Sequence, residues 1–346
     1  MIVALRMAMV GCFAWLMLFN RICMVDQDDR RKIRRGGWLL LAFVGVPVLA
    51  ALLWPEVLDG PSWLLFLWLI GWECNRLARQ AIGFSSARSQ AVGVAGVSAG
   101  IVCTDSLQVR SYQFAGAGEH MDGLTVAFLS DFHCSGYPSC DWYDQVWRMI
   151  SGIGPDLVLL GGDYLDAVED VPLMERAFHG AARLSPLLGI HAILGNHDEV
   201  ASSDVRRVLR RSGVSLLEDR WVALQRGPGR IITLHGTSSP FAGSHDPLSG
   251  APPGGADLCL THTPDNAPSL ARRGTRFILA GHTHGGQIGF PLLGALLTPS
   301  RFSRKWSYGT FRVGESHLVV TSGLGCEGIP LRVLVRPEIV VLRFHA

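Results

Sequence analysis

From residue 124 onward the chain repeats one local pattern: a short apolar run of strand length that stops at side chains able to bind a cation. Residues 124–129 lead into Ser130-Asp131-Phe132-His133, and residues 157–160 into Gly161-Gly162-Asp163-Tyr164-Leu165-Asp166. Runs at 190–194, 258–260 and 277–280 lead into Gly195-Asn196-His197-Asp198, Thr261-His262-Thr263-Pro264-Asp265 and Gly281-His282-Thr283-His284. Further runs at 231–234, 318–320 and 339–342 have similar length, and polar residues, Gly or Pro bound them all, as strands are bounded. Segments 142–150, 171–184 and 205–211 read as helices. The mixture predicts an α/β domain over 107–346. In open α/β sheets, sites form at the carboxyl ends of strands, so residues as distant in sequence as Asp131 and His284 are expected to converge.

The side chains so gathered are Asp131, His133, Asp163, Asn196, His262, His282 and His284. They are oxygen and nitrogen donors without a thiolate, which suits Mn-, Fe- or Zn-like divalent ions better than Ca or a cysteine-type structural zinc. Seven donors are too many for one ion and suit two ions sharing a carboxylate. Such a pair clamps the attacking and leaving oxygens of a phosphoryl displacement. Glycines 162, 195 and 281 let the backbone turn sharply and bring the donors close. Each motif alone is a common loop; the ordered set behind apolar strands carries the inference.

Asp-x-His, Gly-Asp-x-x-Asp, Gly-Asn-His-Asp, a strand-end His and Gly-His-x-His together resemble the calcineurin-like metallophosphoesterase superfamily. The run Gly281-His282-Thr283-His284-Gly285-Gly286-Gln287 and the late Gly325-x-x-Gly328-Ile329-Pro330-Leu331-Arg332 resemble its bacterial, membrane-anchored YkuE/YaeI-like branch. The resemblance covers residues 107–346. It implies a four-layer αββα sandwich, two packed sheets with helices outside. It implies one divalent metal ion on Asp131, His133, Asp163 and His284, and a second on Asp163, Asn196, His262 and His282, with Asp163 bridging; Mn is the expected metal, Fe or Zn the alternatives. It also implies that His197 binds no metal but protonates or stabilises the leaving oxygen, with Asp198 orienting it. Asp166 either positions the bridging loop or faces water.

The first 105 residues differ in kind. Residues 1–19 are apolar except for Arg6, and residues 36–72 hold only two charges, Glu56 and Asp59. Six of the ten tryptophans precede residue 73, and Trp38 and Trp54 bracket the apolar run 39–53 as interfacial anchors bracket a membrane helix. With 17% charged residues and a mean hydropathy of +0.26, the whole chain is unlike a disordered or an ordinary fully soluble one. Candidate transmembrane helices fall at about 1–19, 38–54 and 63–74, with a fourth option at 91–103, lengths near or below the ~17–25 residues that span a bilayer. The basic block Arg30-Arg31-Lys32-Ile33-Arg34-Arg35 between the first two reads as a cytoplasmic loop. Three spans place the C-terminal domain in the cytoplasm, the favoured arrangement, and a fourth places it outside.

A net charge of +2 supplies no basic field, so no nucleic-acid partner is expected. The eight cysteines form no CxxC pair and read mostly as free thiols, with a Cys134–Cys140 bridge as the rival. The arginines of segment 205–211 read as a solvated helix face, with contact to anionic lipid or nucleotide as the alternative. The reading is a membrane-anchored, dinuclear phosphoester hydrolase, a phosphodiesterase or pyrophosphatase acting on a small, lipid-linked or nucleotide-linked substrate, for which the resemblance implies UDP-2,3-diacylglucosamine as one candidate. The bilayer is its expected partner, and the apolar run 289–297 beyond His284 its candidate acyl groove or membrane contact. A phosphoprotein phosphatase, which needs an exposed groove for a polypeptide, and a non-catalytic binding module are the alternatives.

Overall fold

Alternate side chains of a strand face opposite sides of its sheet, and here both sides are apolar. On Thr125–Leu129 (β2), Val126 and Phe128 join one core while Ala127 and Leu129 join another. Leu157–Leu160 (β3) divides in the same way, as do Leu258–Thr261 (β8) and Phe277–Ala280 (β9). Strands buried on both faces need a layer on each side, which is why the runs read as unbroken apolar stretches. The computed structural model describes residue 104 and residues 106–346, apart from 136–137, 242–244, 291–293, 296–297 and 328–329. The expected spans at 1–19, 38–54, 63–74 and 91–103 and the basic block at 30–35 lie outside the described residues. Among the described residues no helix is long and apolar enough to cross a membrane.

Two six-stranded sheets form the centre, and Gly289–Phe290 (β10) and Gly294–Ala295 (β11) make a separate antiparallel pair. The first runs in the order Gln108–Phe114 (β1), Glu338–Phe344 (β14), β2, β3, Ile190–Ala192 (β4), Val214–Leu216 (β5). The second runs Gly309–Val313 (β12), Ser316–Val320 (β13), β9, β8, Arg230–Thr237 (β7), Arg220–Gly227 (β6). Strands β2 to β5 are mutually parallel, and so are β7, β8, β9 and β13. The core shared by the sheets includes Val126, Phe128, Leu157 and Leu159 from one and Leu234, Leu258, Leu260 and Leu279 from the other. Helices Cys140–Ile153 (α1), Val171–Ala177 (α2) and Ser202–Arg211 (α3) cover the outer face of the first sheet, and Ala267–Arg272 (α4) covers the second. The result is the expected helix–sheet–sheet–helix layering.

Local chemistry sets the helix limits. The Ser139 side chain accepts the Trp142 N–H at the start of α1, and Gly154 at φ 62° closes it. The expected helix over 171–184 stops at Ala177 and resumes as a 3-10 turn, Ala181–Arg183. Gly180 lies between them, where a Cβ would come within 2.5 Å of the Trp147 ring; the close crossing of α1 requires a residue that also weakens a helix. Arg206 on α3 meets Glu218 at 2.6 Å, and Arg207 pairs with Asp204. Cys134 and Cys140 are free thiols, so the bridge is not formed.

Phe132, between the candidate ligands Asp131 and His133, sits among the rings of Tyr143, Trp147, Tyr164 and Phe178 at centroid distances of 6.1, 5.9, 5.5 and 5.0 Å. The Tyr143 hydroxyl donates to the Phe132 carbonyl. This cluster fastens the ligand loop to α1. Truncating fully buried Phe178 leaves a cavity under it, so Phe178→Ala is expected to lower the unfolding free energy by about 3–5 kcal/mol in a urea titration followed by tryptophan fluorescence. A loss under about 1 kcal/mol would contradict this packing.

Candidate metal centre

The carboxyl ends of β2, β3 and β4 in one sheet and of β8 and β9 in the other face the same place. Asp131, His133 and His284 form one group of donor atoms within 4.8 Å of one another, and Asp163, His262 and His282 form a second. Asp163 Oδ2 lies 3.1 Å from His262 Nε2 and 3.8 Å from His133 Nε2, so one carboxylate touches both groups. Asn196 Oδ1 lies 3.1 Å from His262 Nε2 and so joins the second. All seven side chains expected from the sequence are therefore brought together.

The backbone is shaped for this. Asp131, His133, Asp163, His282 and His284 all have positive φ, between 45° and 68°. That conformation is uncommon for residues with a Cβ and concentrates at functional sites. Cross-loop hydrogen bonds hold it: Asp131 N–H to the Gly162 carbonyl, His133 N–H to the Asp163 carbonyl, and Gly325 N–H to the Asp131 carbonyl. Gly195 is required for closeness, because a Cβ there would stand 2.2 Å from Asp163 Oδ1.

Several observations fit divalent cations to these residues. His133 Nε2 and His284 Nε2 face each other at 3.0 Å, an arrangement that a shared cation satisfies as well as a shared proton. Asp131 Oδ2 is buried without a hydrogen-bond partner, and a buried carboxylate oxygen needs one. Burial, helped by the charge of His262, lowers His282 to about 4; burial with the charges of His133 and Arg332 lowers His284 well below its usual range. Both are thus neutral imidazoles, the ligating form. At His262 burial is outweighed by Asp163, which raises it to about 9, and at His133 by Asp166, so these two hold a proton that a cation would displace. Burial works against ionisation of Asp163, but His262 and His133 overcome it and hold its carboxyl far below the usual range. His262 donates Nδ1–H to the Gly161 carbonyl at 2.7 Å, leaving Nε2 for a ligand.

His197 lies beside the first group. Its Nδ1 is 3.2 Å from Asp166 Oδ1 and its Nε2 is 3.3 Å from Glu327 Oε1. Hydrogen bonds donated to these carboxylates raise its pKa to about 11, so it carries a proton at neutral pH. Asp166 Oδ1 also accepts from His133 Nδ1 at 2.6 Å. The expectation that Asp198 orients His197 is corrected. Asp198 is buried and accepts the backbone N–H groups of Asp163, Tyr164 and Gly195 at 2.7–2.9 Å, so it braces the ligand loops while Asp166 holds the imidazole. Asp166 was legible as the last residue of Gly-Asp-x-x-Asp. Glu327 had no sequence signal, and neither did Phe241, whose ring is 5.3 Å from that of His282.

Fold and site together define a class, the metal-dependent phosphoester hydrolases. The model of the Calcineurin-like phosphoesterase family matches residues 124–286. Among similar proteins, the phosphodiesterase YaeI of Escherichia coli is 30% identical over 63% of this chain and 80% of its own length. The uncharacterized metallophosphoesterase YkuE of Bacillus subtilis is 28% identical over 64% of this chain and 78% of its own. A transmembrane protein with metallophosphoesterase domain from Danio rerio is 29% identical over 64% of this chain and 53% of its own. The chain belongs to the calcineurin-like metallophosphoesterase family.

Proposed function

We propose that this protein is a dinuclear, membrane-anchored phosphodiesterase or pyrophosphatase whose substrate is lipid-linked or nucleotide-linked. The observation that carries the two-metal reading is the Asp163 carboxylate, which touches two separate donor groups. Divalent cations held there, Mn first among them, would supply positive charge for the phosphoryl oxygens and make water a stronger nucleophile. Asp131, His133, Asp163 and His284 would hold one, and Asp163, Asn196, His262 and His282 the other. His197, carrying its proton between two carboxylates, stands at the rim of the first group, where it can hand that proton to a departing ester oxygen. Asp166 keeps the imidazole turned that way.

A cleft of about 610 Å³ begins at His282 and is bounded by Phe241, Phe302, Arg272 and Arg301. The Phe241 ring beside His282 and the guanidinium groups of Arg272 and Arg301 on the cleft wall suit an organic leaving group that carries a second negative charge, as a diphosphate or nucleotide does. The relative named a phosphodiesterase supports the reaction type, and the relative named a transmembrane protein supports the anchor. Of the candidate acyl contact at 289–297, residues 291–293 and 296–297 lie outside the described residues, and Gly289–Phe290 pairs with Gly294–Ala295 as two short antiparallel strands.

The test is a panel on purified, Mn-loaded protein in detergent: bis-p-nitrophenyl phosphate, p-nitrophenyl phosphate, UDP-2,3-diacylglucosamine and a phosphopeptide. Hydrolysis of the diester or diphosphate, lost on chelation and restored by Mn, is expected. Turnover of the phosphopeptide alone would favour a phosphoprotein phosphatase, and metal binding without any turnover a binding module.

A further inference from the structure

The loop between β13 and β14 places a fixed negative charge at the mouth of the site, and nothing in the two-metal chemistry calls for it there. Glu327 Oε1 lies 3.3 Å from His197 Nε2, the ring nitrogen that faces away from Asp166. The chain around it is tied to the site at several points. Gln287, three positions after His284, grips the backbone of Glu327 with both ends of its amide: the Glu327 N–H donates to Gln287 Oε1 at 2.8 Å, and Gln287 Nε2 donates to the Glu327 carbonyl at 3.1 Å. Leu324 N–H and Gly325 N–H donate to the carbonyls of Ser130 and Asp131 on the ligand loop. The buried Arg332 guanidinium donates from Nε to the Gly325 carbonyl at 2.9 Å. A Cβ on Gly325 would meet the Phe132 carbonyl at 2.0 Å, so the two loops are in direct contact. The backbone that carries the carboxylate is therefore held in place, while the side chain, 47% exposed, meets His197.

We propose that Glu327 is a charge filter that makes this enzyme discriminate against phosphomonoesters in favour of phosphodiesters. The inference rests on the phosphoesterase reading above. For His197 Nε2 to reach a leaving oxygen, that oxygen must come within hydrogen-bond range of the nitrogen Glu327 now faces. The phosphoryl group then stands a few ångströms from a carboxylate. A monoester is close to dianionic above its second pKa of ~6, whereas a diester carries one negative charge. The repulsion from Glu327 is therefore about twice as large for the monoester. At separations of several ångströms and partial solvent exposure the extra unit of charge is worth roughly tenfold in relative rate. The diester's second substituent can extend into the cleft beyond His282, away from Glu327.

The experiment compares p-nitrophenyl phosphate with bis-p-nitrophenyl phosphate on the Mn-loaded full chain. The two share one leaving group, so any change in proton delivery by His197 affects both and cancels in their ratio. Glu327→Gln is expected to raise the monoester-to-diester ratio of kcat/KM roughly tenfold, and Glu327→Asp, which keeps the charge, to leave it within about threefold of wild type. Calorimetric binding of inorganic phosphate at about pH 8, where it is mainly dianionic, should tighten in Glu327→Gln by a similar factor. An unchanged ratio with unchanged phosphate affinity, at wild-type metal content and melting temperature, overturns the filter and leaves the phosphoesterase reading standing. Absence of turnover in the wild type would sink that reading, and the phosphate titration would still decide whether Glu327 repels anions.

Discussion

Asp163→Asn should lower kcat/KM by about 10³-fold or more, the largest effect expected of any single substitution in this chain. Asp163 Oδ2 lies within 3.1 Å of His262 and 3.8 Å of His133, so the change removes an anion from both donor groups at once. Two-metal stabilisation of a phosphoryl transition state contributes several kcal/mol, and each ~1.4 kcal/mol is tenfold in rate. The substitution is nearly isosteric. An asparagine oxygen can still accept the His197 backbone N–H that Asp163 Oδ1 accepts at 2.9 Å, so the loops should keep their shape. Elemental analysis should show bound Mn falling well below the wild-type content while the circular dichroism spectrum is preserved. Wild-type metal content together with wild-type turnover would refute the bridging assignment.

His197→Ala should keep the metals and slow hydrolysis by about 10²–10⁴-fold, the range of general acid catalysis. The loss should grow as the leaving group becomes a worse one and shrink for nitrophenolate, which needs little protonation. Asp166→Asn should follow the same leaving-group trend with a smaller loss, because it loosens the imidazole without removing it, and Asp166 also holds His133. Asp198→Asn should show no such trend, since its carboxylate meets backbone N–H groups only in the hydrogen bonds described. A loss that steepens with poorer leaving groups in both His197→Ala and Asp198→Asn but stays flat in Asp166→Asn would restore the orienting role first expected of Asp198, and a flat loss in His197→Ala would refute the general-acid role.

Much of the fold was legible because its signals are local. The apolar runs behind Asp131, Asp163, Asn196, His262 and His282 are the central parallel strands, buried on both faces, and burial on both faces is what writes an uninterrupted apolar run. Edge strands left weaker traces. β1 and β6 alternate exposed with partly buried residues and were not anticipated, because a strand with one wet face and few apolar residues resembles a loop in sequence. The second helix was drawn too long, since the Trp147 ring that demands Gly180 is a tertiary neighbour.

By itself the sequence determined the α/β class, the order of the strands that carry chemistry, and the seven donors at their ends, because strand-end position and donor type are properties of short segments. Only the tertiary structure decided which carboxylate serves which imidazole. Asp166 and Asp198 lie equally close to their motifs in sequence, yet the turn after β3 aims Asp166 at His133 and His197, while the turn after β4 turns Asp198 back onto three N–H groups. Glu327 reaches His197 from a loop 130 positions away. That contact exists because the loop's main chain is bonded to the ligand loop and to Gln287, and hydrogen bonds between distant backbone segments leave no periodicity or motif in the sequence to read.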